Sequence, residues 1–255
     1  MSLSDKDIEA IARQIASTLS GETEPQASSP PPSAPSADPG LGVFASINDA
    51  VGAAQKAFPV YTALPLAVRN QIVTAIRRTM LENASMLAKA AAEETKLGRF
   101  EDKILKNQLV AEKTPGPEQL APESFTGDHG LTLCEPAPFG VIGSITPCTN
   151  PTSTIINNAI AMISAGNTVV FNPHPTAKSC SAQTVALLNK TILSNGGPTN
   201  VVTCVASPTI ESAQEMMKHP GIRLLVVTGG GGVVKAAMAS GKRAICAGPG
   251  NPPVV

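Results

Sequence analysis

Trp is absent from this chain, Tyr occurs once and Phe six times in 255 residues. So thin an aromatic supply leaves little with which to stack nucleobases. An excess of either charge is missing too. Lys plus Arg number 19 and Asp plus Glu 19, for a formal net charge of zero. A nucleic-acid surface shows as a basic surplus, and there is none. No apolar run approaches the roughly 20 residues needed to span a bilayer. The first residues also lack the basic start and apolar core of a secretory signal. Cys134, Cys148, Cys180, Cys204 and Cys246 are odd in number and never spaced C-x-x-C. That excludes a disulfide framework or zinc cluster as the organising device. His129, His174 and His219 show no ligand spacing, so no metal site is indicated. Free thiols in a reducing cytoplasm are the simplest account, and a soluble intracellular protein is expected.

Two nucleotide fingerprints are missing as well. The turn from Ser144 to Pro151 contains no glycine, so G-x-G-x-x-G does not occur there, and G-x-x-x-x-G-K-[ST] occurs nowhere. A mononucleotide kinase or NTPase is therefore a poor reading.

What is present falls into three parts: residues 1–20, 21–41 and 42–255. Ile8, Ile11, Ala12, Ile15 and Leu19 form one apolar stripe at helical spacing, so Ser4 to Leu19 reads as a short amphipathic helix. Ser4 is placed to cap it, Asp5 and Asp7 suit its first turn, and Gly21 ends it. From Glu22 to Gly40, six prolines with Ser and Ala make a semi-extended linker. A helix this short is marginal alone in water. Its stripe calls for a partner, either its own domain or, as the long linker favours, another protein.

The long part carries 42% hydrophobic against 15% charged residues across the chain, enough for a sizeable core. From Ser46 to Lys113 the pattern is helical. Ile47, Val51 and Ala54 form one stripe, and Val68, Ile72, Ala75, Ile76 and Met80 a second. Phe100, Ile104, Leu105 and Leu109 form a third. Pro65 suits a helix's first turn and Gly98 a helix end. Leu131–Glu135 reads as a short strand between Gly130 and Pro136. Beyond it, apolar runs such as G-V-I-G-S-I, T-V-V-F, V-V-T-C-V and I-R-L-L-V-V alternate with helical stretches. That alternation predicts an α/β domain, a doubly wound parallel sheet buried on both faces.

In such sheets ligands sit beyond the carboxyl ends of the strands. The rule selects S-I-T-P-C-T-N-P, F-N-P-H-P-T and V-T-G-G-G-G. Thr228–Gly232 ends a strand and opens a helix, so it is either a phosphate cradle or a tight turn. Asn150 is either a donor to a developing oxyanion or the cap of the next helix. His174 reads first as a structural hydrogen-bonder. Cys148 and Cys246 have no adjacent His and read first as small buried hydrophobes.

Together, P-F-G-V-I-G-S-I-T-P-C-T-N-P-T-S-T-I-I-N-N, F-N-P-H-P, V-T-G-G-G-G-V-V-K-A-A and A-G-P-G-N-P-P resemble one family in order and wording. It is the CoA-acylating aldehyde dehydrogenases of the propionaldehyde and acetaldehyde type, cargo of bacterial microcompartments. E-D-K-I-L-K-N and T-P-G-P-E-Q-L are similar to its N-terminal region, and the leading helix with its linker resembles an encapsulation peptide. The resemblance implies an aldehyde dehydrogenase-like Rossmann-type domain binding NAD and coenzyme A. It implies oxidation of a short-chain aldehyde to an acyl-CoA through attack by a cysteine thiolate. Asn150 would then donate to the thiohemiacetal oxyanion. Ile145, Thr146, Pro147, Asn172, His174, Thr228, Gly229, Gly230 and Gly231 would line the dinucleotide or CoA groove.

Shell proteins, met through residues 4–19, are the implied partners inside a microcompartment. The Leu131–Glu135 strand resembles part of an oligomerisation arm, so a homo-oligomer is expected of the complete enzyme. Hydrolytic relatives carry a Glu where this sequence has Ala247. A thiol acceptor, with a pKa of about 8.5 rather than about 15.7 for water, has no need of that base. The family's nucleophilic cysteine lies beyond Val255, so these residues are expected to bind cofactor without turnover. The readings that compete are a non-catalytic nucleotide-binding or shell-docking module and a hydrolytic aldehyde dehydrogenase.

Overall fold

Short, mostly apolar runs form the strands of a six-stranded parallel sheet, and the stretches between them form helices. The computed structural model describes residues 38–248 and residue 250. The helix expected at residues 4–19, and the linker as far as residue 37, lie outside the described residues. All that is described belongs to one unit, Ala34–Val255.

The chain enters through a 3-10 turn at Pro39–Leu41 and the two-residue strand β1, Val43–Phe44. Four helices follow: α1 (Ile47–Thr62), α2 (Leu66–Glu82), α3 (Ala84–Thr95) and α4 (Phe100–Lys113). Ser46 caps α1, its Oγ accepting from Asp49 N at 3.1 Å. Pro65 stands at the N-cap of α2, one residue ahead of its first turn. Helix α3 ends at Lys96, which takes the left-handed conformation itself; Gly98 follows in the loop, also with positive φ.

An antiparallel hairpin, β2 (Glu123–Gly127) with β3 (Gly130–Cys134), stands apart from the main sheet. The expected strand at Leu131 is thus half of a pair. The side chains of Phe125, Leu131 and Leu133 are exposed.

The alternating region follows the sequence closely. Its elements are β4 (Val141–Thr146), α5 (Pro151–Ser164), β5 (Thr168–Pro173), α6 (Lys178–Ser194) and β6 (Val202–Val205). Then come α7 (Ile210–Lys218), β7 (Leu224–Thr228), α8 (Gly231–Met238) and β8 (Ala244–Ala247). Strand order is β1-β6-β5-β4-β7-β8, all parallel. From β4 the chain steps outward to β5 and β6, then returns to the other side of β4 for β7 and β8. This reversal opens a crevice at the carboxyl ends of β4 and β7, the place where doubly wound sheets hold ligands.

Both faces of the sheet are covered. Ile142, Val169, Phe171 and Leu224 pack into one core with α2, α5 and α6. Val141, Ile145, Val170, Leu225 and Val227 point the other way, into a second core with α1, α7 and α8. The period-two alternation of strands explains the split, and double burial explains why each strand is apolar throughout. At Gly143 in β4 a Cβ would come within 3.1 Å of Met216, so the missing side chain lets α7 lie close to the sheet.

Helix α4 departs from its expected orientation. Leu105 and Leu109 are 63% and 57% exposed, whereas Lys103, Asn107 and Ala111 face inward. The apolar stripe there is not the core face; the helix docks through polar side chains.

Candidate functional site

The loops leaving β4, β5 and β7, with the start of α7, enclose a groove of about 870 Å³. Its wall includes Ile145, Thr146, Pro147, Asn150, Asn172, His174, Thr228, Gly229 and Gly230. All three segments selected from sequence therefore meet in one place. Gly231, the first residue of α8, is not among the residues that line the groove. A second groove, of about 780 Å³ along α1, holds none of the selected residues.

Two helices begin at the groove. Asn150 precedes α5 and Gly230 precedes α8, so the free N–H groups and positive ends of both are available to an anion. At Gly230 a Cβ would meet nothing within 4 Å, so this glycine keeps the groove open rather than fitting tightly against the protein. Thr146 ends β4, and its hydroxyl is buried with no hydrogen-bond partner among the described residues. An orphaned buried donor costs about 1–3 kcal/mol, which a ligand in the groove would recover.

Asn150 does not cap its helix: no cap bond from its side chain forms. Its Oδ1 instead accepts from Lys106 Nζ at 3.1 Å, and among the described residues its Nδ2 has only Thr149 Oγ1, at 3.5 Å. The loop behind it is held by α4. Lys103 Nζ donates to Thr149 O at 2.9 Å, and Thr152 Oγ1 donates to Asn107 Oδ1 at 2.9 Å. Burial, and next the neighbouring Lys106, pull the Lys103 ammonium below the usual lysine range.

Asn172 is buried, and Ser212 Oγ lies 2.6 Å from its Oδ1, tying β5 to the first turn of α7. That turn is fixed by a capping box in which Thr209 and Ser212 bond each other's backbone N–H. His174 accepts from Thr176 N at 3.3 Å through Nδ1, so its neutral form carries the proton on Nε2. It caps the short 3-10 turn Pro175–Ala177 and also faces the groove.

The two buried cysteines, Cys180 and Cys204, offer no activated nucleophile. Cys148 packs half-buried against Ala91, Ala177 and Cys180. Burial pushes the Cys204 thiol up to about 12, and burial together with Glu94 raises that of Cys180. Neither is a thiolate at neutral pH. Ala247 pairs with Thr228 across β7 and β8 and carries only a methyl group. Among the described residues no three His, Cys, Asp or Glu side chains group as metal ligands.

The aldehyde dehydrogenase family profile matches residues 24–255. The chain belongs to the aldehyde dehydrogenase family. An acetaldehyde dehydrogenase (acetylating) from Escherichia coli is 48% identical over 254 residues, 99% of this chain and 52% of that protein. Two solved structures carry the likeness into three dimensions. A propionaldehyde dehydrogenase from the Clostridium phytofermentans fucose utilisation bacterial microcompartment has a TM-score of 0.81 at 52% identity. It covers 84% of this chain and 49% of that one. The Rhodopseudomonas palustris propionaldehyde dehydrogenase with bound propionyl-CoA has a TM-score of 0.81 at 47% identity, over 84% and 48%. A propanal dehydrogenase (CoA-propanoylating) from Salmonella typhimurium is 46% identical over 85% of this chain and 47% of that protein, so the chain spans about half the length of the relatives it matches.

Sequence reasoning missed the support behind Asn150. Lys103, Lys106 and Asn107 lie at i, i+3 and i+4, the spacing of one helix face. That polar stripe was the available signal, and the apolar stripe beside it masked it. Thr209, Ile210 and Ala213, which close the groove from α7, carried no motif.

Proposed function

We propose that this chain supplies the dinucleotide-binding groove and the oxyanion-donating amide of an enzyme that oxidises a short-chain aldehyde to its acyl-CoA. The observation that carries this is the groove itself. Two helix N-termini, a glycine turn and the orphaned Thr146 hydroxyl converge where the strand order reverses. That donor set suits a phosphate-bearing cofactor. NAD bound there would supply a hydride acceptor, and coenzyme A would supply the thiol that takes the acyl group. The chain's own part is to hold phosphate oxygens at the starts of α5 and α8 and to present Asn150 Nδ2 to a carbonyl oxygen gaining charge. The methyl of Ala247 leaves no base to activate water, which favours a thioester product over a carboxylic acid.

Calorimetric titration of the 255-residue chain tests the reading. NAD or coenzyme A is expected to saturate it with a Kd on the order of micromolar to millimolar. Gly230→Val leaves the fold intact, since the added Cβ meets nothing, yet fills the groove and weakens binding about tenfold or more. A folded chain that binds neither cofactor sinks the proposal.

We further propose that residues 4–19 dock on a shell protein, an idea supported by the microcompartment origin of a 52%-identical relative. Deleting residues 1–20 is expected to abolish co-assembly with shell proteins. Unchanged co-assembly refutes it.

A further inference from the structure

Helix α4 presents two ammonium groups at one loop, and among the described residues neither forms an ion pair; Asp102, one turn before Lys106, is paired with Arg99. Lys103 is only 5% exposed, and its single acceptor is the carbonyl of Thr149. Lys106, on the exposed flank of the same helix, lies 3.1 Å from Asn150 Oδ1. The end of α4 is anchored in turn. Arg77 donates through one nitrogen to Ala111 O at 2.9 Å and through the other to Thr114 O at 2.6 Å, taking up carbonyls the helix leaves free.

An ammonium donates hydrogen bonds and accepts none. The amide end that meets Lys106 must therefore be the oxygen, and the NH₂ end must turn away from it. Among the described residues that NH₂ has one hydrogen-bond contact, the 3.5 Å approach to Thr149 Oγ1, which is too long to be a strong bond. Its hydrogens are left for whatever enters the groove. A positive charge on the carbonyl end of an amide also draws electron density from its nitrogen, which makes the NH₂ a stronger donor.

We propose that Lys106 is a positioning residue for Asn150: it fixes which end of the amide faces the groove and strengthens the donor. The catalytic consequence rests on the function proposed above; the orientation does not. Lys106 bonds only through the amide, so its effect should vanish when the amide is removed.

The test has two arms. In the ¹⁵N-labelled 255-residue chain, the Asn150 NH₂ pair is assigned by its loss in Asn150→Ala and then followed in Lys106→Met and Lys106→Arg. An order parameter of about 0.85 is expected for the parent chain and for Lys106→Arg, falling below about 0.6 in Lys106→Met. An NH₂ pair equally ordered in Lys106→Met overturns the proposal, whether or not any cofactor binds.

In the acylating enzyme that contains these residues, Lys106→Met is expected to lower kcat on the order of 10- to 100-fold. The KM for aldehyde and the affinity for NAD stay within about twofold, and Lys106→Arg restores most of the rate. Added to Asn150→Ala, Lys106→Met costs nothing more. A full additional loss in the double variant overturns the proposal. An unsubstituted enzyme that makes no NADH refutes the function proposed above, and the order-parameter arm still decides the role of Lys106.

Discussion

Asn150→Ala in the acylating enzyme is expected to lower kcat by about 10²- to 10³-fold, with NAD affinity within about twofold of the parent. The magnitude is that of removing one donor from an oxyanion hole, about 2.7–4 kcal/mol of transition-state stabilisation. Two features of the structure support so large a value. The amide hydrogens have only the long 3.5 Å approach to Thr149 Oγ1 among the described residues, so little competes for them. Its carbonyl end is also already held, at 3.1 Å from Lys106, so little ordering remains to be done at the moment of reaction. Asn150→Asp should be at least as damaging, because a carboxylate sets a negative charge against the charge developing on the substrate. Initial rates of NADH formation with saturating aldehyde and coenzyme A measure both. A kcat within about threefold of the parent for Asn150→Ala would mean that this side chain is not the donor.

Much of the molecule was legible because its physics is periodic. From Val141 to Ala247, strands buried on both faces have to be apolar throughout, and the helices between them alternate with a 3.6 period, so the element order follows from pattern alone. The three strand-end segments were identified for the same reason: parallel strands all present their carboxyl ends on one side.

What escaped was what no period marks. Strand β1 is two residues long, and β2 is exposed along its whole length, so neither bears the alternation of a half-buried strand. Helix α4 misled by having an apolar stripe. Leu105 and Leu109, read as part of an apolar stripe, are exposed, whereas Lys103 and Asn107 are buried because Thr149 O, Thr152 Oγ1 and Ala84 O satisfy them. Hydropathy treats lysine as exterior by default, and only a partner brought near by the fold can reverse that. That Asn150 does not cap α5 was equally out of reach, since its Oδ1 is taken by Lys106, 44 residues away in sequence.

Gly42→Ala should be among the most destabilising single-methyl changes in the chain, costing about 2–5 kcal/mol. Gly42 has φ +82°, where an L side chain pays about 1–2 kcal/mol. A Cβ there would also run into the Asn189 amide and the backbone carbonyl of Val202, an overpacking worth about 1–3 kcal/mol more. Neither neighbour has room to move. Asn189 Nδ2 donates to Leu41 O at 3.1 Å, to Val185 O at 3.2 Å and to Val202 O, so one amide joins the entering turn, α6 and β6. Gly42 O accepts from Cys204 N at 2.8 Å, the first rung of the pairing that seats β1 on the sheet edge. For a domain of this size the midpoint of thermal unfolding should fall by about 5–20 °C. Gly52→Ala is the control, with the opposite sign. Gly52 lies inside α1, and a Cβ there meets nothing within 4 Å. Alanine should therefore stabilise by about 0.5–1 kcal/mol through helix propensity and a less flexible unfolded chain. If the two variants melt within a degree of each other, the close approach at Gly42 is not what holds β1 in place.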